Sequence, residues 1–474
     1  MTGLLNSARW VGISQVSKIS SQLISMVVLA RILLPTDYGV MAMAGVVTAL
    51  AGMLREMGTG TAVIQKKTLT DRATSTIFLL NIFMGCAIGI TLWLSSSYIS
   101  IFFKQPQLKG VLIALATLFP ITSATTVHQA LIERRSGFKT LAIMDVLTQF
   151  IGLFLAIIAA LKGAGVYSFV IPSVSTAIIS SVWLWSKSGW RPKLSWCWQE
   201  FKELIGFTGN LTAFNFINYF CRNADSIIIG KVMGAVLLGS YSMAYKLMLF
   251  PVQNLTWVVN RVMLPALSRM QDDKNEARKL YFKSLNLILT ITAPLMVGLW
   301  VLREPFVHFV FGAKWNVVID LLAWLAPVGL LQSALSTTGT VFTAYGRTDL
   351  LFRLGLFSTF IFVTGFWIGA QFSLVVFTAI YFVNNLINTL VIGWFVLQIL
   401  EVDFNEILEV LKPPLISAAI MGIIIFESKL FFTFSTRDLT HLIIGTFFGV
   451  GIYMFSITIL FKQSLRPIWK LVNG

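Results

Sequence analysis

The chain has 474 residues, of which 56% are hydrophobic and only 12% carry a charge. Soluble domains contain about 25% charged residues, so this composition excludes a water-soluble enzyme, a nucleic-acid binder and a secreted disulfide scaffold. The net charge of +16 fits the basic cytoplasmic loops of membrane proteins, and no nucleic acid is expected as a partner. We therefore expect an all-α polytopic membrane protein.

Hydropathy, with breaks at proline, glycine and charge clusters, predicts about 14 transmembrane helices. A six-helix bundle is expected over residues 1–186, an amphipathic cytoplasmic linker over 187–205 and a second six-helix bundle over 206–400. Residues 401–474 would add a helix pair and a cytoplasmic tail, and the count falls to 12 without this pair. The expected helices cover residues 10–33, 38–64, 75–102, 108–131, 140–161, 164–186, 206–230, 236–264, 284–302, 316–343, 350–371, 374–399, 413–431 and 439–461.

Basic residues are unevenly distributed between the predicted loops. If the N-terminus is cytoplasmic, 22 of the 36 basic residues lie in cytoplasmic segments and 8 lie on the opposite side. Because cytoplasmic loops collect Lys and Arg, this bias predicts that both termini are cytoplasmic.

The predicted linker is rich in tryptophan and basic residues, including Trp190, Trp196 and Trp198. This pattern is typical of an amphipathic helix that lies in the membrane interface. The alternative interpretation is a docking site for a partner protein.

An internal repeat relates the two predicted bundles. Residues 30–44 align without gaps onto residues 230–244, and Gly39, Met43 and Ala44 then match identical residues 200 positions later. Because equivalent helices lie six apart, the halves share one orientation across the membrane. Two parallel bundles with a cleft between them would suit transport by alternating access.

Polar and basic side chains form stripes within the predicted spans. Residues 14, 18, 21 and 25 share one face of the first helix, as do residues 215, 218, 222 and 225 of the seventh. Since a charge at mid-bilayer is costly, such residues should face protein or a water-filled cavity. The six basic residues within spans are Lys18, Arg31, Arg55, Arg222, Lys246 and Arg261.

These stripes predict a cationic cavity that attracts an anionic, hydroxyl-rich substrate, with Lys18, Arg55, Arg222 and Lys246 as its binding residues. Alternatively, some of the charges only satisfy neighbours, as Glu56 does for Arg55 and Asp225 for Arg222, and Arg31 and Arg261 snorkel to the interface. Two acidic residues within spans are candidates either for H+ or Na+ coupling or for salt bridges, namely Asp145 and Asp225.

No catalytic or phosphate-binding motif is present, and the three cysteines and three histidines are scattered. The chain is therefore predicted not to be an enzyme and to need neither a metal nor another cofactor.

The segments ARILLPTDYGVMAMA, MGTGTAVIQKKTLT, NADSIIIGKVMGAVLLGSYSMAYKLMLFP and VFGAKW resemble the polysaccharide-transporter family of the multidrug/oligosaccharidyl-lipid/polysaccharide exporter superfamily. The resemblance implies two bundles in a V shape around a cationic cavity in a bacterial cytoplasmic membrane. It implies a flippase for undecaprenyl-pyrophosphate-linked oligosaccharide, with membrane lipids, a polysaccharide polymerase and a chain-length regulator as partners.

Three other functions remain open at this point. A cation-coupled multidrug antiporter of the same superfamily would favour buried acids, whereas the span cations outnumber them here. A non-transporting scaffold for glycan assembly would not need polar stripes. A membrane glycan polymerase usually needs a large outside loop, and every predicted outside loop is short.

Overall fold

The structure is a computed structural model that describes residues 2–56, 59–65, 69–198, 219–220, 222–431 and 439–460. These ranges contain helices and connecting turns but no strand. Thirteen of the helical stretches are long and apolar enough to cross a membrane, by length and composition. The predicted class, an all-α polytopic membrane protein, is confirmed. Most of the predicted seventh helix, residues 206–230, lies outside the described residues.

The chain forms two compact units, Met1–Gly239 and Ser240–Gly474. The predicted domain limits, with their linker over 187–205, stay a prediction. Residues 222–232 of the first unit are also helical. The helices that precede them are α1 (Thr2–Ile32), α2 (Pro35–Glu56), α3 (Thr59–Gln65), α4 (Asp71–Phe102), α5 (Gln107–Ala116), α6 (Leu118–Arg134), α7 (Phe138–Leu161) and α8 (Tyr167–Lys187).

The ninth numbered helix, α9 (Ala235–Arg269), begins in the first unit and continues in the second. The remaining helices belong to the second unit. They are α10 (Lys274–Val301), α11 (Arg303–Val310), α12 (Asn316–Leu335), α13 (Thr338–Ala344), α14 (Thr348–Gly369), α15 (Leu374–Leu400), α16 (Phe404–Phe431) and α17 (Leu439–Leu460).

Side-chain caps fix where several helices begin. The Asp273 carboxylate accepts a hydrogen bond of 3.1 Å from the Glu276 backbone N–H, and Ser373 caps α15 in the same way at 3.2 Å. Such caps satisfy donors that the first turn would otherwise leave unpaired. The cap at Asp273 stabilises a start of α10 ten residues before the predicted residue 284. Hydropathy could not predict this start, because the first turn is polar.

The C-terminal helix pair packs into the second unit. Ala418 and Met421 of α16 and Ile457 of α17 are buried in one apolar cluster with Ala293 of α10. The Tyr453 hydroxyl donates a hydrogen bond of 2.8 Å to the carbonyl of Thr290. Both helices of the pair are long and apolar enough to span.

Helix α16 begins at Phe404, nine residues before the prediction, and runs through Pro413 and Pro414. A proline inside a helix removes one backbone hydrogen bond, and here the helix continues past both. The buried contacts of Ala418 and Met421 further along explain why the prolines do not end it.

Residues 188–197 contain no helix, so the predicted interfacial helix is wrong for this part of the linker, and residues 199–205 lie outside the described residues. The backbone N–H groups of Lys193 and Cys197 donate to the hydroxyls of Ser75 and Thr76 on α4, at 3.2 and 3.0 Å. Gly189, with a φ of +67°, also takes the backbone out of helical geometry. The segment therefore binds α4 in an extended form.

A close helix crossing joins α2 to the first turn of α9 within the first unit. A Cβ atom added at Gly39 would overlap the backbone carbonyl of Ala235, and one added at Gly239 would overlap that of Pro35. These four positions are related by the repeat of 200 residues, and α2 and α9 begin at matching positions. The residues that follow, Met43 and Ala44, are fully buried, as are their equivalents 200 positions later.

This crossing predicts that Gly39→Ala destabilises the protein, whereas Gly45→Ala on the same helix does not. The new methyl group at Gly39 would meet rigid backbone, and overpacking of this kind costs about 1–3 kcal/mol. Nothing lies within 4 Å of a Cβ at Gly45, and alanine favours a helix over glycine by about 1 kcal/mol.

Thermal unfolding of both purified variants, followed by fluorescence size-exclusion chromatography, would measure the difference. Equal melting temperatures for Gly39→Ala and Gly45→Ala would contradict a tight crossing.

Candidate functional site

Lys18 lies next to an acidic residue on a distant helix. The Ser14 hydroxyl of α1 donates a 3.0 Å hydrogen bond to the Asp145 carboxylate of α7, and Lys18 interacts electrostatically with that carboxylate. Two helical turns further along α1, the Ser21 hydroxyl donates to the Gln149 carbonyl at 3.4 Å. The polar stripe of α1 thus packs along α7, while the Lys18 side chain itself remains exposed.

Arg55 occupies a different place, at the last turn of α2. Its guanidinium donates a hydrogen bond to the hydroxyl of Thr122 on α6. Arg55 is half-buried and lines a chamber of about 760 Å³ inside the first unit. Lys18 is not among the residues that line this chamber, so the structure does not bring these two predicted cations together.

The chamber is lined by α2, α3, α6, α7 and α8, and its polar lining is mostly hydroxyl groups. Among the described residues, Arg55 and Glu133 are the charged members of the lining, and Gln129 donates a 2.8 Å hydrogen bond to the Glu133 carboxylate. The hydroxyl side chains are those of Thr61, Thr122, Thr125, Thr126, Thr148, Ser173, Thr176 and Ser180. We refer to this space as the hydroxyl chamber.

Arg222 and Asp225 lie on the helical segment 222–232. The Arg222 side chain is exposed, whereas Asp225 is buried and accepts a 2.6 Å hydrogen bond from the Ser226 backbone N–H. Near the end of this segment, the Lys231 ammonium donates a 2.7 Å hydrogen bond to the Phe102 carbonyl. Arg222 is therefore placed on an anchored helix.

In the second unit, Lys246 is exposed on α9, within a stretch long and apolar enough to span. Several polar residues of its helices bind one another. Gln332 donates to the Tyr381 hydroxyl at 2.8 Å, and Asn260 accepts from Thr340 at 3.0 Å. Arg261 lies over the ring of Trp257, 5.2 Å from its centroid.

The sequence interpretation missed the hydroxyl chamber. The signal was available, because the same polar stripe that marked α1 recurs on two other helices. Residues 122, 126, 129 and 133 are spaced by four, three and four positions on α6, and residues 173, 176 and 180 by three and four on α8. Threonine and serine alone are common in membrane helices, and only the fold shows that these stripes face one space.

No cluster of three or more His, Cys, Asp or Glu that could hold a metal ion occurs in the part of the chain that the structure describes. The charged groups of the site are single cations and acids within apolar helices. Such an arrangement is suited to binding a polar solute.

Comparison with known proteins identifies relatives along nearly the whole chain. A family profile described as "Polysaccharide biosynthesis protein" matches residues 28–320. The lipopolysaccharide biosynthesis protein WzxC of Escherichia coli (strain K12) is 27% identical over 397 residues, which are 83% of this chain and 80% of that protein. The teichuronic acid biosynthesis protein TuaB of Bacillus subtilis (strain 168) is 25% identical over 98% of both chains.

A solved structure of the lipid II flippase MurJ, in an inward closed conformation, is similar to this fold. The TM-score is 0.74, with 15% sequence identity, over 96% of this chain and 99% of that one. At this identity the similarity concerns the fold. Since the family profile matches more than half of the chain, this multi-pass membrane protein belongs to the polysaccharide biosynthesis protein family.

Proposed function

We propose that this protein is a flippase that moves lipid-linked oligosaccharide repeat units across the cytoplasmic membrane of a bacterium. The carrier would be undecaprenyl pyrophosphate, and the glycan would pass by alternating access from the cytoplasmic to the periplasmic leaflet. The product would be a surface polysaccharide, such as O-antigen, colanic acid or exopolysaccharide. Family membership, the names of WzxC and TuaB and the MurJ-like fold support this proposal.

The observation that carries the proposal is the exposure of cations within apolar spans. Lys18 and Lys246 are exposed within stretches that are long and apolar enough to span, and Arg222 is exposed on the helical segment 222–232. A Lys or Arg at mid-bilayer costs about 2.5–3.5 kcal/mol in insertion experiments. A water-filled path removes that cost. A cation in such a path attracts the pyrophosphate of the carrier lipid and any acidic sugar.

The main rival, a cation-coupled multidrug antiporter, would place acidic groups opposite a cationic drug. Here Asp145 is engaged by Ser14 and lies beside Lys18, so its charge is balanced locally. A non-transporting scaffold has no use for exposed cations in spans. We therefore infer a transporter and not an enzyme. This transporter would act with a polymerase and a chain-length regulator. It would be coupled to H+ or Na+ through Asp145 or Asp225.

The proposed orientation places both termini in the cytoplasm. A reporter fused after Gly189, in the segment that follows α8, should therefore indicate cytoplasm, and one fused after Gly163, between α7 and α8, should indicate periplasm. Paired alkaline phosphatase and green fluorescent protein fusions would test both sites. The opposite pattern would reverse the direction of transport proposed here.

A second prediction separates a substrate role of Lys18 from an ion pair with Asp145. Lys18→Gln should lower polysaccharide export about tenfold or more, since a charged hydrogen bond contributes about 1.5–3 kcal/mol. Lys18→Gln combined with Asp145→Asn restores charge balance without restoring the cation, so export should remain low. Lys18→Arg should keep more activity than Lys18→Gln.

Complementation of surface polysaccharide, normalised by immunoblots, would measure these effects. The matched control is Lys162→Gln, because Lys162 is exposed between α7 and α8 and lies outside the spans. Recovery of wild-type export in the doubly neutral variant would assign Lys18 a purely structural role.

A further inference from the structure

The hydroxyl chamber is a polar space whose described lining lies within the first unit. Its volume of about 760 Å³ is within the range of about 300–1,000 Å³ that is typical of small-molecule pockets. The apolar residues that share its lining, among them Leu118, Met144 and Leu184, could contact the carbon face of a ring. The space is large enough for more than water or a single ion.

Seven hydroxyl groups of the chamber donate their protons to carbonyls of their own helices. Thr126 donates to the Thr122 carbonyl at 3.2 Å, and Thr176 donates to the Pro172 carbonyl at 2.7 Å. Thr148, Ser173 and Ser180 donate in the same way, at 2.7–2.9 Å. Since a hydroxyl has one proton and two lone pairs, the oxygens offer acceptors to the chamber.

The charges of the chamber balance. Among the described residues of the lining, Arg55 brings one positive charge and Glu133 one negative charge, so these residues give the chamber no net charge. A lining of acceptors selects a ligand that carries many hydrogen-bond donors. An uncharged sugar ring, which bears several O–H groups around a carbon skeleton, has this chemistry.

We propose that the hydroxyl chamber binds an uncharged sugar residue of the transported glycan, whose O–H groups donate to Thr126, Thr176 and the neighbouring hydroxyl oxygens. This inference depends on the proposed function. It divides recognition of the substrate into two sites: the exposed cations of the spans attract the pyrophosphate, and the chamber contacts the sugar.

The test compares the binding of two lipids by the purified full-length protein. One is the lipid-linked glycan extracted from cells that lack this protein, and the other is undecaprenyl pyrophosphate without sugar. The double variant Thr126→Val and Thr176→Val removes two acceptors at nearly constant volume. It should bind the glycan-bearing lipid roughly five- to a hundredfold more weakly and the sugar-free lipid as the wild type does.

Thr91→Val is the matched control, because Thr91 also donates to its own helix, to the Ala87 carbonyl at 2.8 Å, but lies exposed on α4 outside the chamber. If the Val variants unfold, Ser173→Ala with Ser180→Ala tests the same acceptors. The melting temperature of the double Val variant, compared with that of the wild type, shows whether the Ala pair is needed.

The outcomes distinguish the two proposals. Absence of an accumulated lipid-linked glycan, or failure of the wild type to bind either lipid, would overturn the flippase function. A wild type that binds both lipids equally, or chamber variants that weaken both lipids equally or neither, would overturn the sugar site and leave the flippase proposal intact.

Discussion

The interior of a bilayer contains no water to satisfy polar groups, and this constraint explains most of the polar architecture of the chain. Threonine and serine side chains donate to carbonyls of their own helices, as Thr126 and Thr176 do. Longer side chains reach across helices, as Asn260 does to the Ser336 carbonyl at 3.0 Å. Lys18 remains exposed after such pairing, and it is there that we propose an aqueous path.

The same constraint decides how much could be predicted from the sequence. Apolar runs of about 20 residues identify membrane helices well, because length and hydropathy are local properties. The beginning of α10 at Lys274 was missed, since its first turns are polar. The extended form of residues 188–197 was missed as well, because it depends on the Ser75 and Thr76 hydroxyls of α4, more than a hundred residues earlier.

The candidate site was predictable as a set of residue types but not as an arrangement. The stripe on α1 singled out Lys18, and nothing in the local sequence connects it to Asp145 on α7. Arg55 was assigned to the same cavity as Lys18, whereas in the fold it lines a chamber that holds a balancing Glu133. Pairings between distant helices follow from tertiary packing, and one sequence does not specify them.

The crossing of Gly39 with Ala235 has a consequence for biosynthesis. Helix α2 leaves the ribosome and enters the membrane long before the first turn of α9 exists. Until then its glycine surface has no backbone to pack against, and the first unit cannot complete its native contacts. Domains generally fold in order during synthesis. Here, however, the first unit ends at Gly239, and it therefore includes residues 230–239, which belong to the second copy of the repeat. Assembly of the N-terminal unit must therefore wait for the second repeat to begin emerging.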